Sequence, residues 1–227
     1  MNLHPTRRAT GHPAAVAIVL AIALTVAACA PPLGGGGSAT PAPTEPPASS
    51  PPSGCPTSQP DPLPSGAVRD VTIATALGTI VIEIRADQSP IAAGNFVALA
   101  SCGYYDGVVF HRAATLADGT PFVIQGGDPT GTGRGGPGYT IADEPVTASY
   151  GRGVVAMART ADPNSVGSQF FIVLDDAARG VLESFNTYQI IGTVTSGMEA
   201  ADAIYADADA ELPTRPVAMD SVTVSTP

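Results

Sequence analysis

Residues 70–84, DVTIATALGTIVIEI, alternate apolar and polar side chains on both sides of Leu77 and Gly78. Alternate positions share one face of a strand, so Val71 and Ile73, and then Ile80, Ile82 and Ile84, each make one apolar face. The glycine between the two runs supplies the turn, and the pair reads as a hairpin. The same texture recurs outward from this hairpin. Short apolar runs bounded by turn residues occupy 107–112, 122–126, 153–158, 169–174 and 188–194, and VAMDSVTVS at 217–225 closes the chain. Two helices interrupt them. Ser89 followed by Pro90 reads as an N-cap and first helical residue, opening IAAGNFVALASC, with Gly103 as the stop. Ser196 and Glu199 read as a capping box that opens a second helix running to about Tyr205. Eight strands with two helices exclude a parallel sheet, which needs a crossover helix between most strands. The expected fold is therefore mainly β: a closed eight-stranded antiparallel β-barrel capped by two α-helices, with closure removing the sheet edges.

The first 66 residues have a different character. Arg7 and Arg8 precede an apolar run, Ala14 to Ala28, interrupted only by Thr25 and shorter than the roughly 20 residues a spanning helix needs. Residues 1–28 therefore read as a signal peptide. Val26, Ala27, Ala28 and Cys29 look like a lipobox, which makes Cys29 the expected lipidation site. A plain signal with an Ala-x-Ala cut and twin-arginine export remain as alternatives. Residues 29–66 are dominated by proline, glycine, serine, threonine and alanine, a composition that does not bury enough apolar surface to offset the entropy of ordering. They read as a lipid-anchored disordered tether, and 67–227 as the folded domain. The expected location is extracytoplasmic, on the bacterial cell membrane.

Charge narrows the function. The chain has no lysine; without Arg7 and Arg8, eight arginines face twenty acids. Such a surface repels phosphate backbones and anionic headgroups, so nucleic acid is excluded as a partner, and any membrane link runs through the lipid anchor. Beyond Cys29, Cys55 and Cys102 remain; outside the cytoplasm they form a possible disulfide, the alternative being two free thiols. Gly131, Gly133 and Gly136 have G-x-G-x-x-G spacing, but Pro137 and Gly138 follow where a dinucleotide site opens a helix. Asp207 to Glu211, DADAE, lacks the central glycine of a calcium loop and reads as a solvated helix end. His111 is the sole histidine beyond His12, no G-x-S-x-G elbow accompanies it, and no metal set is present.

Four blocks remain: NFVALASCGYYDG (95–107), FHRAATLADGTPFVIQGGDPTGTG (110–133), GVVAMARTADPNSVGSQFFIVL (153–174) and YQIIGTV (188–194). In this order they resemble the cyclophilin family of peptidyl-prolyl cis-trans isomerases, particularly its bacterial members, over about residues 68–227. The resemblance implies a groove for proline on the outer face of the barrel. It implies a catalytic role for Arg112 and substrate-binding roles for Phe122, Val123, Gln125, Ala158, Phe171, Leu182 and Tyr188. It also implies a monomer that needs no cofactor and acts on proline-containing unfolded or flexible polypeptides. His111, beside Arg112, is expected to point to the opposite face as a core or supporting residue. Valine stands at 123 where many members have methionine, and tyrosine at 188 where many have histidine. The family tryptophan has no counterpart; Val181, Leu182 and Phe185 are its candidates. Nine residues separate Arg112 from Phe122, a longer loop than in compact members. A proline-binding module without turnover, and a structural envelope lipoprotein, are the alternative readings on the same fold.

Overall fold

The computed structural model describes residues 52–226. The expected signal peptide, Cys29 and the first part of the tether lie outside the described residues. The hairpin forms as β1 (Val68–Thr75) and β2 (Gly78–Arg85), with Val71 opposite Ile82 and Ile73 opposite Ile80. All four side chains are fully buried, which is what makes any one-residue slip costly. After α1 (Pro90–Ser101) come β3 (Arg112–Thr115), β4 (Pro121–Gly126), β5 (Val154–Met157) and β6 (Phe170–Val173). A short turn of tighter helix at Asp176–Ala178 leads into α2 (Arg179–Phe185), followed by β7 (Ile190–Ser196), α3 (Met198–Asp207) and β8 (Ser221–Ser225).

The eight strands form one antiparallel sheet in the order β3-β4-β6-β5-β7-β2-β1-β8. Its end strands, β3 and β8, share no ladder, so the continuously closed barrel expected from the strand count is not what stands here. The segment before β3 bridges the gap instead. Val109 makes single bridges to Asp128 on one side and Ala218 on the other, and the Phe110 N–H donates to the Val217 carbonyl at 2.9 Å. This is also why the run expected as a strand over 107–112 starts only at Arg112: its neighbours are irregular chain that supplies isolated bonds.

One face of the sheet packs on α1 and α3. Phe170 lies at the centre of this core, edge-on to Phe96 (5.1 Å between ring centroids), Tyr105 (5.7 Å) and Phe110 (6.1 Å). Helix starts differ from the expected caps. Ser89 occupies the N-cap of α1 but its side chain makes no capping bond. The Glu144 carboxylate reaches in from a loop and accepts from the Ile91 and Ala92 N–H groups at 2.8 and 2.9 Å, placing an anion at the positive helix end. The capping box of Ser196 and Glu199 does not form. Gly197 is the N-cap of α3, with φ +86°. A Cβ there would lie 1.9 Å from the Thr79 carbonyl oxygen, so the chain turns into α3 through a backbone position open to glycine alone. A third helix, α2, was not expected.

The last part of the expected tether is docked on the domain. Leu63 is buried and its N–H donates to the Pro90 carbonyl at 2.9 Å. The Asp61 carbonyl lies so close to α1 that a Cβ at Gly94 would meet it at 2.5 Å. The Gln59 Oε1 accepts from the Ala142 N–H at 2.8 Å, and a disulfide joins Cys55 to Cys102 at the end of α1. Residues 55–63, expected as tether, are therefore held on the folded domain.

Candidate active site

The register of β3, β4, β6 and β5 builds the site. Arg112 is paired with Gln125, Gln125 with Phe171, and Phe171 with Ala156. Directly paired residues share a face with Cβ atoms about 4.5–5.5 Å apart, so these four side chains form a row across the sheet. The neighbouring row, Ala113, Ile124, Ile172 and Val155, points the other way into the helix-covered core. Arg112 is thus on the face away from α1. The next row on its own face is Ala114, Val123 and Val173. Between Ala114 and Thr115 the register slips, so that Thr115 pairs with Pro121 and Phe122 is the extra residue of a bulge. A bulge turns consecutive side chains to one side, and Phe122 and Val123 accordingly belong to the same apolar cluster.

That cluster is separate from the main core. It contains Val123, Phe171, Leu182 and Ile190 as buried members, with Phe122, Ala158 and Tyr188 partly buried against it. Six of the seven residues expected to bind substrate are brought together here; the seventh, Gln125, lies beside them in the row with Arg112. Tyr188 stands edge-on to Phe171 at 5.3 Å, and its backbone is held in both directions by the Tyr150 hydroxyl, which accepts from the Tyr188 N–H and donates to its carbonyl. Burial pushes the Tyr188 hydroxyl pKa above its ordinary value, and the charges of Arg112 and Arg159 partly oppose that shift. Leu182 is buried beneath the surface of the cluster. Phe185, one turn further along α2, is half exposed and packs on Tyr188 at 6.4 Å, which makes it the aromatic group at the outer rim.

The polar side of the site is a chain of oriented amides. The Arg112 Nη1 donates to Gln125 Oε1 at 3.4 Å, Gln125 Nε2 donates to Gln169 Oε1 at 2.9 Å, and Gln169 Nε2 donates to the Gly133 and Gly135 carbonyls at 3.0 and 2.9 Å. Each amide is thereby fixed with its oxygen toward Arg112. The glycine-rich loop is the anchor of this chain. On its other edge the guanidinium meets Glu211: Nε donates to Oε1 at 2.8 Å, and Nη2 lies 2.6 Å from the same oxygen. Neither Gln169 nor Glu211 was singled out from the sequence as a site residue. Gln169 carried a signal in its place inside the SQFFI block, whereas Glu211 lies 99 positions from Arg112 in the DADAE run expected as a solvated helix end; the helix stops at Asp207 and Glu211 turns back onto Arg112.

His111 is buried, and neither ring nitrogen has a hydrogen-bond partner. It faces Gly133 of the glycine-rich loop, with Nε2 3.6 Å from where a Cβ on that glycine would lie. Burial lowers its pKa below 6.5, which keeps the imidazole neutral at neutral pH. Among the described residues no group of three or more histidine, cysteine or acidic side chains could hold a metal ion.

Residues 70–224 match the family model described as cyclophilin type peptidyl-prolyl cis-trans isomerase/CLD. Peptidyl-prolyl cis-trans isomerase-like 1 of Rhizopus delemar is 48% identical over 134 residues, covering 57% of this chain and 75% of that protein. Peptidyl-prolyl cis-trans isomerase-like 3 of Dictyostelium discoideum is 38% identical over 163 residues, covering 68% and 94%. The crystal structure of a Cryptosporidium parvum cyclophilin type peptidyl-prolyl cis-trans isomerase superposes with a TM-score of 0.61 at 31% identity, covering 70% of this chain and 99% of that one. The same protein in the presence of the dipeptide Ala-Pro gives 0.60 at 32% identity. These relatives are eukaryotic, and none carries the expectation of a bacterial lipoprotein form. Strand register, an arginine beside an apolar cluster, and a sequence match spanning nearly the whole described domain agree: the chain belongs to the cyclophilin-type peptidyl-prolyl cis-trans isomerase family.

Proposed function

We propose that the protein accelerates rotation about Xaa-Pro bonds in flexible or unfolded polypeptides, with Arg112 as the group that meets the proline nitrogen. The observation that carries this reading is the single row of Arg112, Gln125 and Phe171 on one sheet face, bordered by the apolar cluster of Phe122, Val123, Ala158 and Tyr188. The peptide barrier of about 18–20 kcal/mol arises because the nitrogen lone pair is delocalised into the carbonyl. No bond to hydrogen breaks during rotation, so neither a general base nor a cofactor is required. In the twisted state the lone pair is localised on nitrogen and accepts a hydrogen bond, whereas in both planar states it does not. An N–H held at that position therefore binds the transition state selectively.

Arginine suits this role because it stays charged and its planar fork has five donors. Here Nε donates to Glu211 and one N–H of Nη1 donates to Gln125, while Nη2 is ion-paired with the same Glu211 oxygen. At least one N–H on each terminal nitrogen is left for the substrate. Phe122, Phe171 and Tyr188 would hold the pyrrolidine ring while the residue before it turns. The Ala-Pro dipeptide present with the Cryptosporidium parvum relative has the chemistry expected of such a ligand.

The test is catalysis of cis-to-trans conversion in a short Xaa-Pro peptide by the purified protein. Wild type should accelerate it, and Phe171→Ala should raise KM about tenfold, a loss of about 1.4 kcal/mol in ring binding. Absence of acceleration by wild type, with peptide binding intact, would instead identify a proline-binding module without turnover.

The proposed setting is outside the cytoplasm, where slow Xaa-Pro steps of tens of seconds or longer limit folding. Support comes from the apolar run before Cys29, the Pro-rich stretch after it, and the Cys55–Cys102 disulfide, a bond that persists in oxidising compartments. A lipid on Cys29 and the stretch after it would hold a monomeric isomerase off the membrane. Cys29→Ser expressed from the full chain should move the protein from the membrane to the soluble fraction. If the wild type is itself soluble, the anchor is rejected.

A further inference from the structure

Beyond Arg112 and the apolar cluster, one acidic side chain is built into the site by three separate devices. The segment after α3 is closed on itself by Asp209, whose Oδ1 accepts from the Thr214 N–H at 2.9 Å and whose Oδ2 accepts from the Thr214 hydroxyl at 2.5 Å. This small loop is then pinned along the sheet edge, because the Ala113 N–H of β3 donates to the Glu211 carbonyl at 2.8 Å. α3 is tied to the far end of the same strand through the Thr115 and Tyr205 hydroxyls, 2.7 Å apart. With its main chain bonded to the residue after Arg112, Glu211 places Oε1 against Nε and Nη2 of the guanidinium, at 2.8 and 2.6 Å.

We infer that Glu211 is a positioning residue for the isomerase reaction: it fixes the guanidinium of Arg112 so that the remaining N–H groups face the proline nitrogen. The inference rests on the role proposed for Arg112. Two opposing effects decide its sign. A carboxylate beside the guanidinium reduces the positive potential felt by the substrate, but the Glu211 side chain is 59% exposed, and water and salt screen its charge. Orientation is the larger effect. Without Glu211 the guanidinium is tethered by one bond of 3.4 Å to Gln125, well beyond the usual 2.9–3.0 Å, and a long flexible side chain must then be ordered in the transition state.

The experiment measures kcat and KM of the full-length protein with an Xaa-Pro peptide. Glu211→Ala should lower kcat/KM about tenfold, the loss appearing in kcat, because the apolar cluster that binds the ring is untouched. Glu211→Gln, which keeps an acceptor oxygen at the same reach, should recover most of the rate. In the Arg112→Ala background, Glu211→Ala should cause no further loss, since the group it positions is gone; a merely structural role would lower the rate in both backgrounds. If Glu211→Ala matches or exceeds wild type while Arg112→Ala is impaired, the positioning role falls and the proposed function stands. If Arg112→Ala itself matches wild type, both fall.

Discussion

Arg112→Ala is expected to reduce kcat/KM by about 10² to 10³-fold, the effect of losing one preorganised, charge-assisted donor aimed at the atom whose electron density changes in the transition state. The loss should sit in kcat. Substrate affinity resides in the apolar side chains of Phe122, Phe171 and Tyr188, none of which depends on the guanidinium for its packing. Arg112→Lys keeps a charge but presents a flexible ammonium in place of the planar fork, so it should recover a fraction of the rate and not most of it. The competing account makes Arg112 a structural partner of Glu211. That account predicts a different result, because an ion pair with one side chain 59% exposed contributes about 0–1 kcal/mol, and deleting it would change stability slightly and turnover not at all. Peptide isomerisation measured beside urea unfolding of the same preparations separates the two. A rate within twofold of wild type in folded Arg112→Ala protein would end the proposed mechanism.

How far the sequence announces these features depends on how local their causes are. The β1/β2 hairpin is legible because its period of two, its turn and its pairing all lie within residues 68–85. The Ser89–Pro90 start of α1 is legible too, yet its capping anion is not, since Glu144 comes from 53 positions away. α2 escapes notice for a local reason: seven residues give too little periodicity, and its entry is a tight turn capped by Asp175 instead of by a residue at its own N-terminus. The sheet ends were misjudged because the strand pattern at 107–112 is correct in composition while its partners at 217–219 form isolated bridges. At the site, Arg112, Gln125 and Phe171 owe their alignment to a register no single segment encodes, and it took resemblance to a family to group them. Glu211 has no such aid. Its position follows from the small loop closed by Asp209 and Thr214 together with the bond from the Ala113 N–H to the Glu211 carbonyl, a pairing of distant segments that leaves no periodic trace.

Reduction of the Cys55–Cys102 disulfide is expected to destabilise the domain by about 2–5 kcal/mol. The bond joins positions 47 apart and ties the chain before β1 to the end of α1, so cutting it restores freedom to a long loop of the unfolded chain. It also loosens the native state locally. The docked segment has little else to hold it: Leu63 is its buried apolar anchor, and the remaining bonds are those of Leu63 to Pro90 and of Gln59 to Ala142. Intact mass with and without reductant should differ by two hydrogens, and the urea midpoint of the reduced protein should fall accordingly. Cys55→Ser, Cys102→Ser and the double variant should lose the same amount, because one bond is removed in each. Limited proteolysis should then cut within 55–66 while the sheet stays intact. Turnover per folded molecule should hold, since the row of Arg112, Gln125 and Phe171 is carried by β3, β4 and β6, and the staple is attached to α1. Equal stability of oxidised and reduced protein would mean that Leu63 and the backbone bonds suffice to hold this segment, and that the disulfide adds no constraint the fold lacks.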